Sequence, residues 1–158
     1  MAVSFINNAS IAAGAGISTS KLGAGAVLQV VQGTSSTQFD TTSTSFVATN
    51  LQLSITPTAS SSKILLMATG AVGTSGNTVQ PVYTFYRNST DLGVNNRGLG
   101  QLYANASGLN ASGAMVYLDS PATTSATTYR VYLRTNLGTA TWGFDGGLQV
   151  IIAMEIAA

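Results

Sequence analysis

Residues 118–134 read LDSPATTSATTYRVYLR. Asp119, Ser120 and Pro121 carry turn chemistry, because Asp and Ser side chains bond the nearby backbone and Pro presets φ. After the Thr-rich stretch that follows, Tyr129, Val131 and Leu133 alternate with Arg130, Tyr132 and Arg134. That is the two-residue period of a strand buried on one side. The odd positions are expected in a core, and the even ones together on an outer face.

Working outward, the chain from Ala26 onward is a series of short strand-like runs: AVLQVVQ, SFVAT, LQLSI, KILLMATGAV, VYTFYR, LGQLYA, AMVYL, ATWGF and LQVIIAMEI. TPTASSS, GTSGN, NSTDLG, NASGLNASG and DGG separate them, and these hold the residues that turns require. Leu51, Leu53 and Ile55 alternate cleanly, as do Val150, Ile152, Met154 and Ile156. KILLMA is apolar on both faces and reads as a central strand. No 3.6-residue pattern is long enough for a helix. This spacing predicts an all-β fold, a two-sheet antiparallel sandwich with jelly roll the leading topology and an ordinary Greek key the alternative.

Residues 1–25, MAVSFINNASIAAGAGISTSKLGAG, have a different texture, rich in Gly and Ala with few large apolar side chains. The expected organisation is an N-terminal arm over 1–25 and a sandwich domain over 26–158. Such an arm is either a flexible linker or a segment that orders against a neighbour. In the second case Phe5, Ile6 and Ile11 are its partner anchors.

Composition removes most functional classes. A chain of 158 residues that is 45% hydrophobic is expected to form one domain. Six basic and five acidic residues, net +1, are too sparse for the basic footprint of a nucleic-acid binder. Charged residues make up 7% of the chain, against a typical ~25%. So little like-charge repulsion suits a surface packed permanently against copies or partners. With no histidine and no cysteine, a Ser-His-Asp triad, a Cys-His pair and an ordinary zinc site are all excluded. The five carboxylates, Asp40, Asp91, Asp119, Asp145 and Glu155, are scattered, and a two-carboxylate glycosidase is the enzymatic reading that survives counting. No enzyme, metal or cofactor is expected. No run of 18 apolar residues suggests a membrane span, and the N-terminus lacks a basic leader with an apolar core, so synthesis without a signal peptide is expected.

A few residues invite a choice. Trp142 is either a core side chain with its indole N–H satisfied or a carbohydrate-stacking platform. Tyr83, Phe85 and Tyr86 straddle both faces of their run, so at least one ring should reach a surface. Glu155, amid apolar neighbours, needs an Arg or backbone partner unless the chain end frays. Arg130, Tyr132 and Arg134 are ordinary surface residues, a glycan-binding patch or a protein contact. Arg and Tyr are both enriched at interfaces, which favours a partner-contact role for the three.

Several phrases resemble those of bacteriophage virion proteins, particularly the small β-sandwich domains at the ends of tail fibres. They are SKLGAGAVLQVVQ (20–32), TTSTSFVATNLQLSITPTASSSKILL (41–66), FYRNSTDLG (85–93), LDSPATTSATTYRVYLR (118–134) and the terminal MEIAA (154–158). The resemblance implies a structural component of the virion, commonly trimeric, and carries over no catalytic residue. A short arm without a fibre shaft leads to the expectation of a capsid decoration or cement protein, a homotrimer on the major capsid protein at the capsid surface. The alternative is a receptor-binding fibre tip whose loops NSTDLGVNNRG and NASGLNASG contact host glycans.

Overall fold

The computed structural model of the chain describes residues 22–105 and 108–158. Phe5, Ile6 and Ile11, and with them the expected arm contact, lie outside the described residues. Strands follow in the order β1 (Val27–Ser35), β2 (Phe39–Thr41), β3 (Val47–Ile55), β4 (Lys63–Ser75), β5 (Val82–Arg87), β6 (Thr90–Asp91), β7 (Gly100–Gln101), β8 (Asn110–Asp119), β9 (Thr127–Arg134), β10 (Thr139–Trp142) and β11 (Gln149–Ile156). Single turns of 3-10 helix stand at Asn95–Arg97 and Phe144–Gly146.

The strands form two antiparallel sheets. In the first, β4 pairs along one edge with β11 and then with β10, and along its other edge with β8; β1 continues beyond β11 and β2 beyond β10. KILLMA is therefore central, and its apolar character on both faces has two uses. The second sheet has the order β3-β9-β5-β6, with β7 also paired to β5. If the short β6 and β7 count as one broken strand, the principal pairs are β1 with β11, β3 with β9, β4 with β8, and β5 with β6 and β7. First pairs with last and each inner strand with its mirror, as in a long antiparallel ribbon folded over itself. This is the jelly roll.

The core lies between the sheets. Leu51, Leu53 and Ile55 of β3, Tyr129, Val131 and Leu133 of β9, and Phe85 of β5 meet Ile64, Leu66, Val72, Ile151 and Trp142 of the opposite sheet. The odd positions of YRVYLR thus face inward, all fully buried. Close approach is secured by missing side chains. A Cβ at Gly33 would collide with the carbonyl oxygen of Gln52 on the facing sheet, and one at Gly70 would stand 3.0 Å from the Trp142 ring.

SFVAT and LQLSI, expected as two runs, are joined into the single strand β3 across a register shift between Ala48 and Gln52. Thr49 repairs the ladder there: its buried hydroxyl donates to the Val131 carbonyl at 2.8 Å and accepts the Leu51 N–H at 3.2 Å. A bulge whose orphaned groups are satisfied by a side chain costs the sheet little. Two expectations fail at the loops. LGQLYA gives only Gly100–Gln101 and an isolated bridge from Val79 to Ala104, while the second half of NASGLNASG is already strand, because β8 begins at Asn110 to match the full length of β4.

Asp119 also departs from the turn role expected of it. It ends β8, 4% exposed, and clasps the two sheets. Arg87 Nη1 of β5 donates to Asp119 Oδ1 at 2.8 Å, and the hydroxyl of the fully buried Tyr129 donates to Oδ2 at 2.6 Å. Burial, then the bond to Asp119, pushes the Tyr129 hydroxyl well above its usual range, so it remains a donor.

Candidate interaction surfaces

The outer face of the β3-β9-β5 sheet carries Arg130, Tyr132 and Arg134 side by side, as the two-residue period requires. Tyr132 stacks on Tyr86, centroids 3.8 Å apart and planes within 17°, and Phe46 meets Tyr86 edge-on at 6.2 Å. The Arg134 guanidinium lies 5.6 Å from the Phe46 ring centroid, within cation–π reach, and its Nε donates to the Asn96 carbonyl at 2.8 Å. The result is a half-buried cluster of three rings and two arginines. Burial chiefly, then the charge of Asp91 and the neighbouring Tyr132, raises the Tyr86 hydroxyl above its ordinary value. Arg130 Nε is buried with no hydrogen-bond partner among the described residues. Arg97, in the 3-10 turn, is exposed.

This cluster depends on a neighbouring loop. Asp91 accepts the Thr84 hydroxyl at 2.9 Å and the Gly93 N–H at 2.8 Å, which folds residues 88–99 over the outer side of β5. Thr84, on an outward position, is fully buried for that reason.

The outer face of the other sheet has a different chemistry. Strand register places Val30, Met154, Leu65 and Leu118 in one row across β1, β11, β4 and β8, and Gln32, Ile152, Met67 and Val116 in the next. A third row holds Thr34, Val150, Thr69 and Ala114. None of these twelve residues is charged. Val116 is 66% exposed, Val30 57% and Leu118 51%, so the apolar rows are not covered by the chain's own described loops. Met67, Val116, Val150 and Ile152 line a shallow apolar depression at its centre. The alternation of Val150, Ile152, Met154 and Ile156 therefore marks an outward face. Along the same strand it is Gln149, Ile151, Ala153 and Glu155 that point inward.

Four of the five carboxylates, Asp40, Asp91, Asp119 and Glu155, accept hydrogen bonds from neighbouring groups. Glu155 is fully buried: Gln29 Nε2 donates to Oε2 at 2.6 Å, and the Thr58 N–H and hydroxyl each donate to Oε1 at 2.7 Å. The partner is thus a backbone amide, with two side-chain donors and no Arg. Asp40 accepts the Thr141 hydroxyl at 2.6 Å and Gln38 Nε2 at 2.9 Å. Among the described residues, no three of His, Cys, Asp and Glu gather as a metal would need. Trp142 is in the core, fully buried with Tyr83 tilted against it at 5.3 Å, but its indole N–H has no partner among the described residues.

Glu155 gives the fold an acid limit. Burial opposes its charged form, but the donors from Gln29 and Thr58 outweigh that and hold its pKa below the ordinary 4.5. A lowered carboxylate pKa contributes stability that is complete above the ordinary value and is lost as pH falls through the native one. Glu155→Gln should cost about 1–3 kcal/mol at neutral pH, since the amide NH2 then faces donors. It should also flatten the loss of stability on acidification. Urea unfolding from neutral pH down through the carboxylate range reads both, and an acid limb as steep in the variant as in the parent would assign it to the other carboxylates.

No family model matches the chain, and no curated protein matches it. Among solved structures it is similar to a chain from the structure of infectious bursal disease virus Gx strain, at 15% identity and a TM-score of 0.37. The match covers 84% of this chain and 39% of that one, so this chain spans about two fifths of that chain's length.

Proposed function

We propose that the protein is a structural, non-enzymatic component of a virion, a decoration or cement protein that binds a capsid surface as a homotrimer. The observation that carries this reading is the presence of two chemically different outer sheet faces on one small sandwich, one uncovered and the other partly covered by residues 88–99. One is apolar and free of charge across three rows; the other is a cluster of rings and arginines. A monomer rarely leaves a contiguous apolar patch beyond a few hundred Å² in water. A protein that ties a lattice together needs a contact with its own copies and a second contact with the shell, each modest and multiplied by valency. The resemblance of its phrases to phage virion domains supports the same reading. Arg130, Tyr132 and Arg134 suit the second contact, because Arg and Tyr dominate interface energetics while their aromatic packing limits the entropy lost on binding. The receptor-tip alternative draws support from Val94 and Tyr103, 68% and 61% exposed on the loops that flank β7.

Copy number separates the two. Quantitative mass spectrometry of purified particles that carry the protein should find it in proportion to the capsid lattice; a handful of copies per particle would favour the fibre tip. On the cement reading, the double substitution Tyr132→Ala and Arg134→Ala should weaken particle binding by roughly 30-fold or more. Arg97→Ala should leave binding unchanged. Thermal unfolding of each variant separates loss of contact from loss of fold, and equal binding by both variants would remove the Arg and Tyr ladder from the contact.

A further inference from the structure

Building on the reading that copies of this chain associate, we infer that the outer face of the β1-β11-β4-β8 sheet is the self-contact, covered by a second copy of the chain. Charge is the first argument. An occupant bearing charged groups would bury them unpaired against this face, at a cost well above that of a hydroxyl. The face needs an uncharged occupant, and a chain with 7% charged residues presents one in its own copy. Lys63, exposed at the end of β4, stands at the margin of the rows where a charge remains solvated.

Area is the second argument. Strands of eight to ten residues are roughly 26–33 Å long, and four of them side by side are about 19 Å wide. The projected face is then roughly 500–600 Å², and side-chain relief brings its accessible area near the ~800 Å² per partner of a standard stable interface. The ring cluster on the opposite sheet is partly covered by residues 88–99 and offers no comparable uncharged expanse.

The third argument is the edge. Among the described residues β8 pairs only with β4, so its other side is a ten-residue open strand edge. Its outward side chains include Val116 and Leu118. A long, apolar, open edge is a template for pairing that isolated proteins blunt with charge or Pro. Between Asn110 and Leu118 β8 has neither. A second copy seated over Met67, Val116 and Leu118 covers the face and its edge together.

The test uses the full chain. Sedimentation should find the parent as an oligomer of the 16.1 kDa chain. Met67→Lys with Val116→Lys should weaken association at least about 100-fold, leaving a monomer with the parent's circular dichroism. Because the chain has no cysteine, a single introduced thiol is a unique probe should the lysine variant fail to fold. Val116→Cys should join copies through a short bismaleimide at least about 10-fold faster than Gln52→Cys, on the exposed opposite face. A lysine variant that stays oligomeric, or equal cross-linking at both positions, overturns this face as the contact while leaving the virion reading to the copy-number measurement. A parent that sediments as a monomer at every concentration overturns the self-contact itself.

Discussion

Asp119→Ala is expected to destabilise the fold by about 3–5 kcal/mol, the range for removing one partner of a buried ion pair. Asp119 serves two donors from the facing sheet. Its loss would leave the Arg87 guanidinium without a counter-charge and the fully buried Tyr129 hydroxyl without an acceptor. The Arg87 side chain keeps 26% of its exposure, so water recovers part of its charge, and the lower half of the range is the expectation. Tyr129→Phe removes donor and demand together and should cost about 1 kcal/mol. Asp119→Asn, which still accepts from Tyr129, should fall between the two. Urea unfolding of the three variants orders them. A cost below about 1 kcal/mol for Asp119→Ala would make the clasp no better than a surface pair.

That clasp also shows where the sequence was legible. The parity of β9 and β3 was plain, because each has apolar residues on one face and polar ones on the other, and a register slip would bury Arg130 and expose Val131. Asp119 was not plain. Asp, Ser and Pro in succession state a turn, but Asp119 closes β8 and the bend comes later, at Thr124 and Ser125. The pattern is silent on whether the Asp side chain bends to its own backbone or reaches across to Arg87, 32 positions earlier. Glu155 was read halfway: a carboxylate among apolar residues demanded partners, but the donors Gln29 and Thr58 lie far away in sequence and carry no local signal. The break in β3 was misread for a related reason. Thr49 has the appearance of a loop residue, and its role at the bulge depends on the Val131 carbonyl of another strand.

The candidate surfaces divide in the same way. Arg130, Tyr132 and Arg134 stand out in a charge-poor chain, and the structure brings them together with Phe46 and Tyr86, which only sheet pairing could have supplied. The apolar face went unread because β11 inverts the usual rule. Its inward positions include Gln149 and Glu155, held by hydrogen bonds, while Val150, Ile152 and Met154 point out. An alternating apolar pattern identifies a strand but not which side is water. The available signal was KILLMA: a central strand apolar on both faces implies that its neighbours' outer residues are apolar as well. The arm anchors Phe5, Ile6 and Ile11 lie outside the described residues.

Trp142→Ala should be at least as costly as the loss of the clasp, about 3–5 kcal/mol, because the largest side chain of the core would leave a cavity between two sheets that cannot close fully. The ring occupies a slot made by absence. A Cβ at Gly70 would come within 3.0–3.2 Å of Cε2, Cζ2 and Nε1 of the indole, and one at Gly113 within 3.1 Å of Cζ3. Gly70→Ala in the parent is therefore expected to cost about 1–3 kcal/mol through overpacking. In the Trp142→Ala background the same substitution meets no ring, fills part of the cavity and narrows the unfolded ensemble, so it should be neutral or mildly stabilising. The double-mutant cycle should show a coupling of about 1–3 kcal/mol, a sign that Gly70 is glycine because of Trp142 and not because of its own backbone. Trp142→Phe refines the point: it loses contact area but also removes an indole N–H that has no partner among the described residues, so its cost should be well below that of Ala. Equal costs for Gly70→Ala in both backgrounds would show that β4 itself, and not the indole, forbids the methyl group.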